Sequence, residues 1–175
     1  NLQPGDKLVS LGDYINKGPE SKWVLEQLIQ LYDQDFLVPL LGNHECKLLT
    51  AGKLRQTTVG QTVLLDNQMI AAYTDATNDD VLAAIPERHW RFVQEACLKW
   101  YTTDDYIFVH AMLEPQKSLA EVTETTLFWD KLVDAQPHQS GKIMVCGHTP
   151  QRDGCPLNMG YAICLDTAAC EGQWL

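Results

Sequence analysis

The chain has 175 residues, of which 45% are apolar, and this is enough to build one ordinary domain around a hydrophobic core. Its 23 acidic and 13 basic residues give a formal net charge of −10. This charge excludes a sequence-independent binder of duplex nucleic acid, which needs a basic face. No apolar run reaches the roughly 18 residues of a membrane span, and no Cys-x-x-Cys pair occurs. We therefore expect a cytoplasmic protein with reduced thiols and no membrane partner.

The first part of the chain predicts a strand, a helix and a second strand in succession. Residues 7–11 are predicted to form a strand, 19–33 an amphipathic helix, and 36–41 a buried strand. This order is typical of a βαβ unit with parallel strands. The loop after each strand then lies at the carboxyl edge of the sheet, where open α/β sheets bind their ligands.

The remaining elements are shorter and alternate between the two types, while residues 55–80 show no clear pattern. We predict helices at 46–54, 86–100 and within 121–132, and strands at 106–109, 143–146 and 161–165. The chain is thus predicted to be an α/β protein with one domain, 1–175. His89 is predicted at a helix surface and His138 in a loop, and neither is given a role.

Polar residues follow several predicted strands at the point where each strand ends. They are Asp13, Asn43 with His44, His110, and His148. Any one of them alone is explained as well by turn chemistry, but their joint occurrence favours a site. Two divalent ions held close together need oxygen ligands, imidazoles and a shared carboxylate. This set of residues could supply all three, with His44 left for proton transfer.

Four short segments, in this order, resemble the motifs of the calcineurin-like phosphoesterases. They are Gly-Asp-Tyr-Ile-Asn-Lys-Gly at 12–18, Gly-Asn-His-Glu at 42–45, Val-His-Ala at 109–111 and Gly-His-Thr at 147–149. The block at 38–45 is similar to the bacterial branch of the PPP serine/threonine phosphatases. The resemblance covers nearly the whole chain and implies a sandwich of two mixed β-sheets flanked by helices.

The same resemblance leads us to expect a fold truncated at both ends. The family's first motif, Asp-x-His, is expected upstream of Asn1, and Leu175 ends within an apolar pattern. Without that motif one metal site lacks most of its ligands. We therefore expect the sequence as given to be inactive by itself.

The resemblance also implies a role for each strand-end residue. Asp13 bridges two divalent ions, manganese first with iron or zinc as alternatives, and Asn43, His110 and His148 are further ligands. A hydroxide that bridges the ions attacks phosphorus, and His44 is the general acid that protonates the departing oxygen.

Two residues depart from the family pattern, which usually has Asp-Arg where this chain has Asn16-Lys17. Asn16 can accept a hydrogen bond from His44 but carries no charge, so His44 is expected to hold its proton less firmly and to be a less effective proton donor at neutral pH. Lys17 keeps the positive charge for a substrate phosphate but loses the two-pronged contact of a guanidinium. Lys131 is the candidate for a second phosphate-binding cation.

Three functions remain open from these residues. The first is hydrolysis of phosphate monoesters, with protein phosphoserine or phosphothreonine as substrate. The alternative is cleavage of a phosphoanhydride in a dinucleotide, as in the symmetrical dinucleoside tetraphosphatases, because an anhydride expels a phosphate that leaves without a strong acid. The third is a relative that binds phosphoproteins without hydrolysing them. Asn16 and Lys17 favour this third function, but the retained ligand set argues against it.

Overall fold

The computed structural model describes residues 2–54, 67–74 and 81–174, which divide into two compact units. The first unit consists of the described residues of Asn1–Pro39 and Asn43–Cys97, and the second of those of Leu40–Gly42 and Leu98–Leu175. Most of the unassigned stretch 55–80 lies outside the described residues. The single domain spanning 1–175 stays a prediction. Among the described helices, none is long and apolar enough to cross a membrane.

The first unit opens with the expected βαβ arrangement. Strand β1 (Leu8–Ser10) and strand β2 (Leu37–Pro39) are parallel neighbours, and helix α1 (Ser21–Asp33) connects them. The apolar residues of α1 recur every three or four positions, and Leu25 among them is fully buried. Burial of this face holds the helix against its unit, so the predicted strand–helix–strand order is confirmed.

Four further α-helices belong to the described part of the first unit. They are α2 (Asn43–Lys53), α3 (Asn67–Tyr73), α4 (Val81–Ala84) and α5 (Glu87–Arg91). Helix α2 begins three residues before the predicted start at residue 46. Asn43 and His44 therefore lie in its first turn, and not in a loop as the strand-end pattern suggested.

The predicted helix at 86–100 is wrong in its last third. Helix α5 runs into a π-helical turn, Phe92–Ala96, and the chain becomes extended at Cys97. Residues Trp100–Thr102 then form strand β3, whose partner is another strand of the second unit. Helical spacing of apolar residues continued past the true end because β3 also begins with an apolar residue, the half-buried Trp100.

The prediction that His89 is a surface residue is also wrong, because its side chain is fully buried in the first unit. Its Nδ1 lies 2.7 Å from the hydroxyl of Tyr73, and its Nε2 lies 2.9 Å from a carboxylate oxygen of Glu26. These partners come from α3 and α1, which are remote in sequence. Local periodicity could not reveal them.

The second unit is built on a five-stranded mixed sheet in the order β3-β4-β5-β7-β6. After β3 its elements are β4 (Tyr106–Val109), helix α6 (Glu124–Phe128), β5 (Ile143–Cys146), β6 (Leu157–Asn158) and β7 (Ala162–Cys164). The central pairs are parallel and the two edge pairs antiparallel. The predicted α/β class is therefore confirmed, and the sheet of the second unit is mixed. The described sheet of the first unit consists of two parallel strands.

The centre of this sheet carries a pair of thiols. Cys146 and Cys164 are register partners on β5 and β7, and both are fully buried. A hydrogen bond to Cys164, together with burial, raises the pKa of the Cys146 thiol. Both are free thiols.

Candidate active site

The turn after β1 positions Asp13 beside the start of α2 within the first unit. Gly12 and Asp13 both have positive φ, at 91° and 61°, so the backbone reverses sharply here. The Oδ1 atom of Asp13 accepts a hydrogen bond of 3.1 Å from the backbone N–H of His44. The Nε2 atom of His44 lies 3.9 Å from Oδ2 of the same carboxylate. The structure thus brings together Asp13 and His44, two residues of the predicted site.

The side-chain amide of Asn43 points at the same carboxylate, and its position is compatible with Asn43 being a metal ligand. One terminal atom of the amide lies 3.0 and 3.1 Å from the two carboxylate oxygens of Asp13. If this atom is the oxygen, three oxygens converge, as the ligands of a hard divalent cation do. If it is the nitrogen, the amide donates hydrogen bonds to Asp13. Asn43 can therefore serve either with or without a cation by turning its amide.

The loop after Asp13 holds Asn16 and Lys17 in different environments. Asn16 is 1% exposed, and its backbone N–H donates to the hydroxyl of Ser21 at 3.3 Å. Its Oδ1 is buried and has no hydrogen-bond partner among the described residues. A buried amide oxygen without a partner is costly, so this oxygen can accept a further hydrogen bond with gain. Lys17 is exposed, and the next residue, Gly18, donates its N–H to Gln68 at 2.7 Å.

The second unit brings His110 and His148 together at the ends of neighbouring parallel strands. His110 follows β4 and His148 follows β5, and the N–H of Gly147 donates to the carbonyl of His110 at 2.8 Å. The Nε2 atom of His110 lies 3.1 Å from Nδ1 of His148. The other ring nitrogen of His148 donates to the carbonyl of Trp129 at 3.1 Å.

The two imidazoles are close enough to ligate one ion. Nitrogens bound at about 2.0–2.1 Å to a tetrahedral ion lie about 3.3 Å apart. The observed separation of 3.1 Å between His110 and His148 is near that value and is also within hydrogen-bond distance. Because the Trp129 carbonyl can only accept, it places the hydrogen of His148 on Nε2 and leaves Nδ1 with the lone pair that a metal requires.

Lys131 lies just after α6 and is anchored to the same turn. Its ammonium donates to the backbone carbonyl of His148 at 2.9 Å. The hydroxyl of Thr149 accepts from the N–H of Leu132 at 2.8 Å, so two consecutive residues after α6 contact the turn at 148–149. The exposed charge of Lys131 therefore lies near a predicted metal ligand, as the phosphate-binding prediction requires.

Two contributions to the site were not predicted. Glu45 drew attention in the sequence only as the last residue of the segment 42–45. In the structure it is a fully buried carboxylate hydrogen-bonded to the backbone of the Asp13 turn. The signal was present, because a charged residue in the first turn of a helix beside buried residues needs partners. The carbonyl of Trp129 orients His148. A pattern of side chains in the sequence cannot predict an acceptor that belongs to the backbone.

Comparison with known proteins decides the family. The sequence matches the calcineurin-like phosphoesterase family over residues 1–171. The chain belongs to this family. The resemblance carried by the segments at 12–18, 42–45, 109–111 and 147–149 is thereby confirmed, and family membership implies divalent metal ions.

Two similar curated proteins have the same name. The chain is 32% identical over 134 residues to a symmetrical bis(5'-nucleosyl)-tetraphosphatase of Nitrosomonas europaea, a match covering 72% of the chain and 43% of that protein. It is 34% identical over 121 residues to the enzyme of the same name from a Janthinobacterium species, covering 69% of the chain and 38% of that protein. The chain thus spans less than half the length of these relatives.

A solved structure supports the fold. The crystal structure of a candidate diadenosine tetraphosphatase superposes with a TM-score of 0.65 at 21% identity, covering 97% of this chain and 74% of that one. At this identity the match concerns architecture alone. It agrees with the metallophosphatase fold expected from the sequence.

Proposed function

We propose that this phosphoesterase cleaves phosphoanhydrides, and that its substrates are dinucleoside polyphosphates of the symmetrical tetraphosphate class. The observation that carries the proposal is the similarity, at 32–34% identity over about 70% of the chain, to two enzymes named symmetrical bis(5'-nucleosyl)-tetraphosphatases. This favours the second of the three functions considered from the sequence. The comparisons give no support to a phosphoprotein as substrate.

The chemistry of Asn16 supports the same choice. Hydrolysis of a phosphoserine expels an alkoxide, which needs a strong proton donor, whereas an anhydride expels a phosphate that is already a stable anion. A carboxylate at this position would stabilise protonated His44, but Asn16 supplies a neutral and buried oxygen. We propose that this oxygen accepts a hydrogen bond from the His44 imidazole and orients it. His44 is then a modest acid, which suits an anhydride.

The remaining predicted residues keep their proposed roles. Asp13 and Asn43 offer oxygen, and His110 and His148 offer nitrogen, a mixed set that suits manganese, iron or zinc. When bound, such ions would supply Lewis acidity toward the phosphate and an activated water. Lys17 and Lys131 bind phosphate oxygens by charge. In the overall reaction water adds to one phosphorus, the bridging P–O bond breaks, and the departing phosphate keeps the electron pair.

The test uses the full-length protein with Mn²⁺ and two substrates, diadenosine tetraphosphate and a phosphoserine peptide. We expect cleavage of the dinucleotide to two molecules of ADP, and little release of phosphate from the peptide. ATP with AMP as products would mean attack at an outer phosphate and would contradict the symmetrical class. Peptide hydrolysis faster than dinucleotide cleavage would overturn the proposal in favour of a protein phosphatase.

A matched variant separates turnover by this site from contamination. His148→Ala removes a proposed metal ligand and should lower dinucleotide cleavage by roughly 100-fold. His138→Ala removes a buried histidine that bonds Ser140 and the carbonyl of Lys117, away from the predicted site residues, and should leave cleavage within about 2-fold. Equal activity of both variants would show that the site proposed here is not the one at work.

A further inference from the structure

The carboxylate of Glu45 is the most deeply buried acidic group among the described residues, with 0% exposure. One oxygen accepts the backbone N–H of Asp13 at 2.7 Å, and the other accepts the backbone N–H of Tyr14 at 2.8 Å. Both bonds are short, and they join positions 32 and 31 residues apart in the chain. Glu45 therefore holds two consecutive backbone amides of the turn that carries Asp13.

The connection between this turn and α2 runs in both directions. The carboxylate of Asp13 accepts the backbone N–H of His44, while the carboxylate of Glu45 accepts the backbone N–H of Asp13. Each segment thus caps the other, in the manner of a capping box formed between two remote parts of the chain. Rotation of the Asp13 side chain would break its bond to the N–H of His44, and rotation of the Glu45 side chain would break the bonds to the Asp13 turn.

The backbone of Asp13 explains why such a clamp is needed. Its φ of 61° is in the left-handed region, which is strained for a residue with a Cβ. A conformation of this kind persists only where surrounding contacts over-determine it. Two charge-assisted hydrogen bonds to the amides of Asp13 and Tyr14 supply that constraint.

Keeping a carboxylate at this position has its own cost. A buried charge is tolerated only if it has hydrogen bonds or an opposite charge beside it. If this position had only to stabilise α2, an apolar side chain would serve as well. The negative charge is felt nearby, because burial together with the Glu45 charge raises the pKa of the Cys97 thiol. The hydrogen bonds to the Asp13 turn offset this cost.

We propose that Glu45 is a positioning residue that holds the carboxylate of Asp13 in the orientation required for binding a divalent cation. The inference rests on the metal-ligand role given to Asp13 in the proposed function. It goes further because it gives Glu45 a role in orienting a metal ligand, and not only a role in stabilising the fold.

The experiment compares full-length wild type with Glu45→Gln and with Leu48→Ala. Gln keeps the size of the side chain but has one acceptor oxygen, so an NH₂ group must face one of the two backbone donors. Leu48 is fully buried in the same helix, and truncating it opens a cavity that lowers stability while leaving the carboxylate of Glu45 unchanged. Leu48→Ala is thus the control for destabilisation alone.

Two readouts do not require substrate. Hydrogen exchange should show the Asp13 and Tyr14 amides protected in wild type and Leu48→Ala, and exchanging at least about 10-fold faster in Glu45→Gln. Titration with Mn²⁺ should show affinity lower by roughly 10–100-fold in Glu45→Gln, and within about 2-fold of wild type in Leu48→Ala.

Several results would overturn the proposal. Unprotected Asp13 and Tyr14 amides in wild type would show that no clamp exists, and this needs no variant. Equal loss of Mn²⁺ affinity in both variants would mean that Glu45 serves the fold only. Neither measurement involves a dinucleotide, so failure of the proposed substrate and failure of this inference are distinguishable.

Discussion

The Nε2–H of His148 donates to the backbone carbonyl of Trp129, and this single bond decides which nitrogen of the ring can bind a metal. The lone pair is left on Nδ1, which faces Nε2 of His110 at 3.1 Å. Two imidazoles that meet nitrogen to nitrogen at the ends of neighbouring parallel strands form a ready pair of ligands. Their roles can be tested without any substrate.

Replacing His110 by alanine should weaken Mn²⁺ binding by at least about 100-fold, because a lost ligand costs more than a lost supporting contact. The measurement is a Mn²⁺ titration followed by calorimetry or electron paramagnetic resonance. His138→Ala is the control, because it removes another buried histidine of the same unit whose partners are Ser140 and the Lys117 carbonyl. Similar losses in both variants would argue that the effect is general destabilisation.

Replacing Lys131 by methionine should raise KM for the dinucleotide by about 3–10-fold with kcat nearly unchanged, the pattern of lost uniform binding. The expectation follows from an exposed ammonium held at the turn of His148. Lys142→Met is the matched control, because Lys142 also donates to a backbone carbonyl of the second unit, that of Thr103. A fall in kcat with KM unchanged would contradict a role in ground-state phosphate binding.

Much of the candidate site could be predicted because its residues are tied to local features. Asp13, His110 and His148 each follow a short apolar strand, and the polarity change at a strand end is visible in a few consecutive residues. In the second unit the parallel strands β4 and β5 bring His110 and His148 to one edge of their sheet. The same logic led to Asn43 as a candidate, and the structure places this residue in the first turn of α2 and not in a loop.

What could not be predicted depends on contacts between remote segments. Glu45 reaches the amides of Asp13 and Tyr14 across more than 30 residues, and His89 reaches Glu26 across 63. Strand β3 was taken for the end of a helix, because only its pairing with β4 distinguishes the two. The pattern of apolar residues in a segment predicts which face that segment buries. It does not predict which other segment packs against that face.

Replacing Asn16 by aspartate should raise hydrolysis of a phosphoserine peptide by roughly 10-fold and leave dinucleotide cleavage within about 3-fold. A carboxylate beside His44 would stabilise the protonated imidazole, which helps an alkoxide to leave and matters little for an anhydride. Asn158→Asp adds the same charge at an exposed position of β6 and should change neither activity. No change in either activity for Asn16→Asp would disprove the link between this amide and substrate choice.

The buried network around His89 predicts that stability falls as the pH drops from about 6.5 to 4. Burial, and then the nearby charges of Arg88 and Lys22, lower the pKa of His89 from its usual value to about 4. The imidazole is therefore neutral in the folded chain, with Nε2–H donating to Glu26 and Nδ1 accepting from the hydroxyl of Tyr73. In the unfolded chain it takes up a proton near pH 6.5.

The sign follows from this difference in proton binding. Between pH 6.5 and 4 the unfolded state binds more protons than the folded state, so the free energy of unfolding decreases as pH falls, by up to about 3 kcal/mol from His89. Chemical denaturation of wild type and His89→Gln at pH 7 and pH 4.5 measures this contribution. Glutamine has no proton to gain, so the variant should lose less stability than wild type over this interval. Equal losses in the two proteins would show that His89 is not kept neutral by burial, because a histidine with an ordinary pKa contributes no such difference.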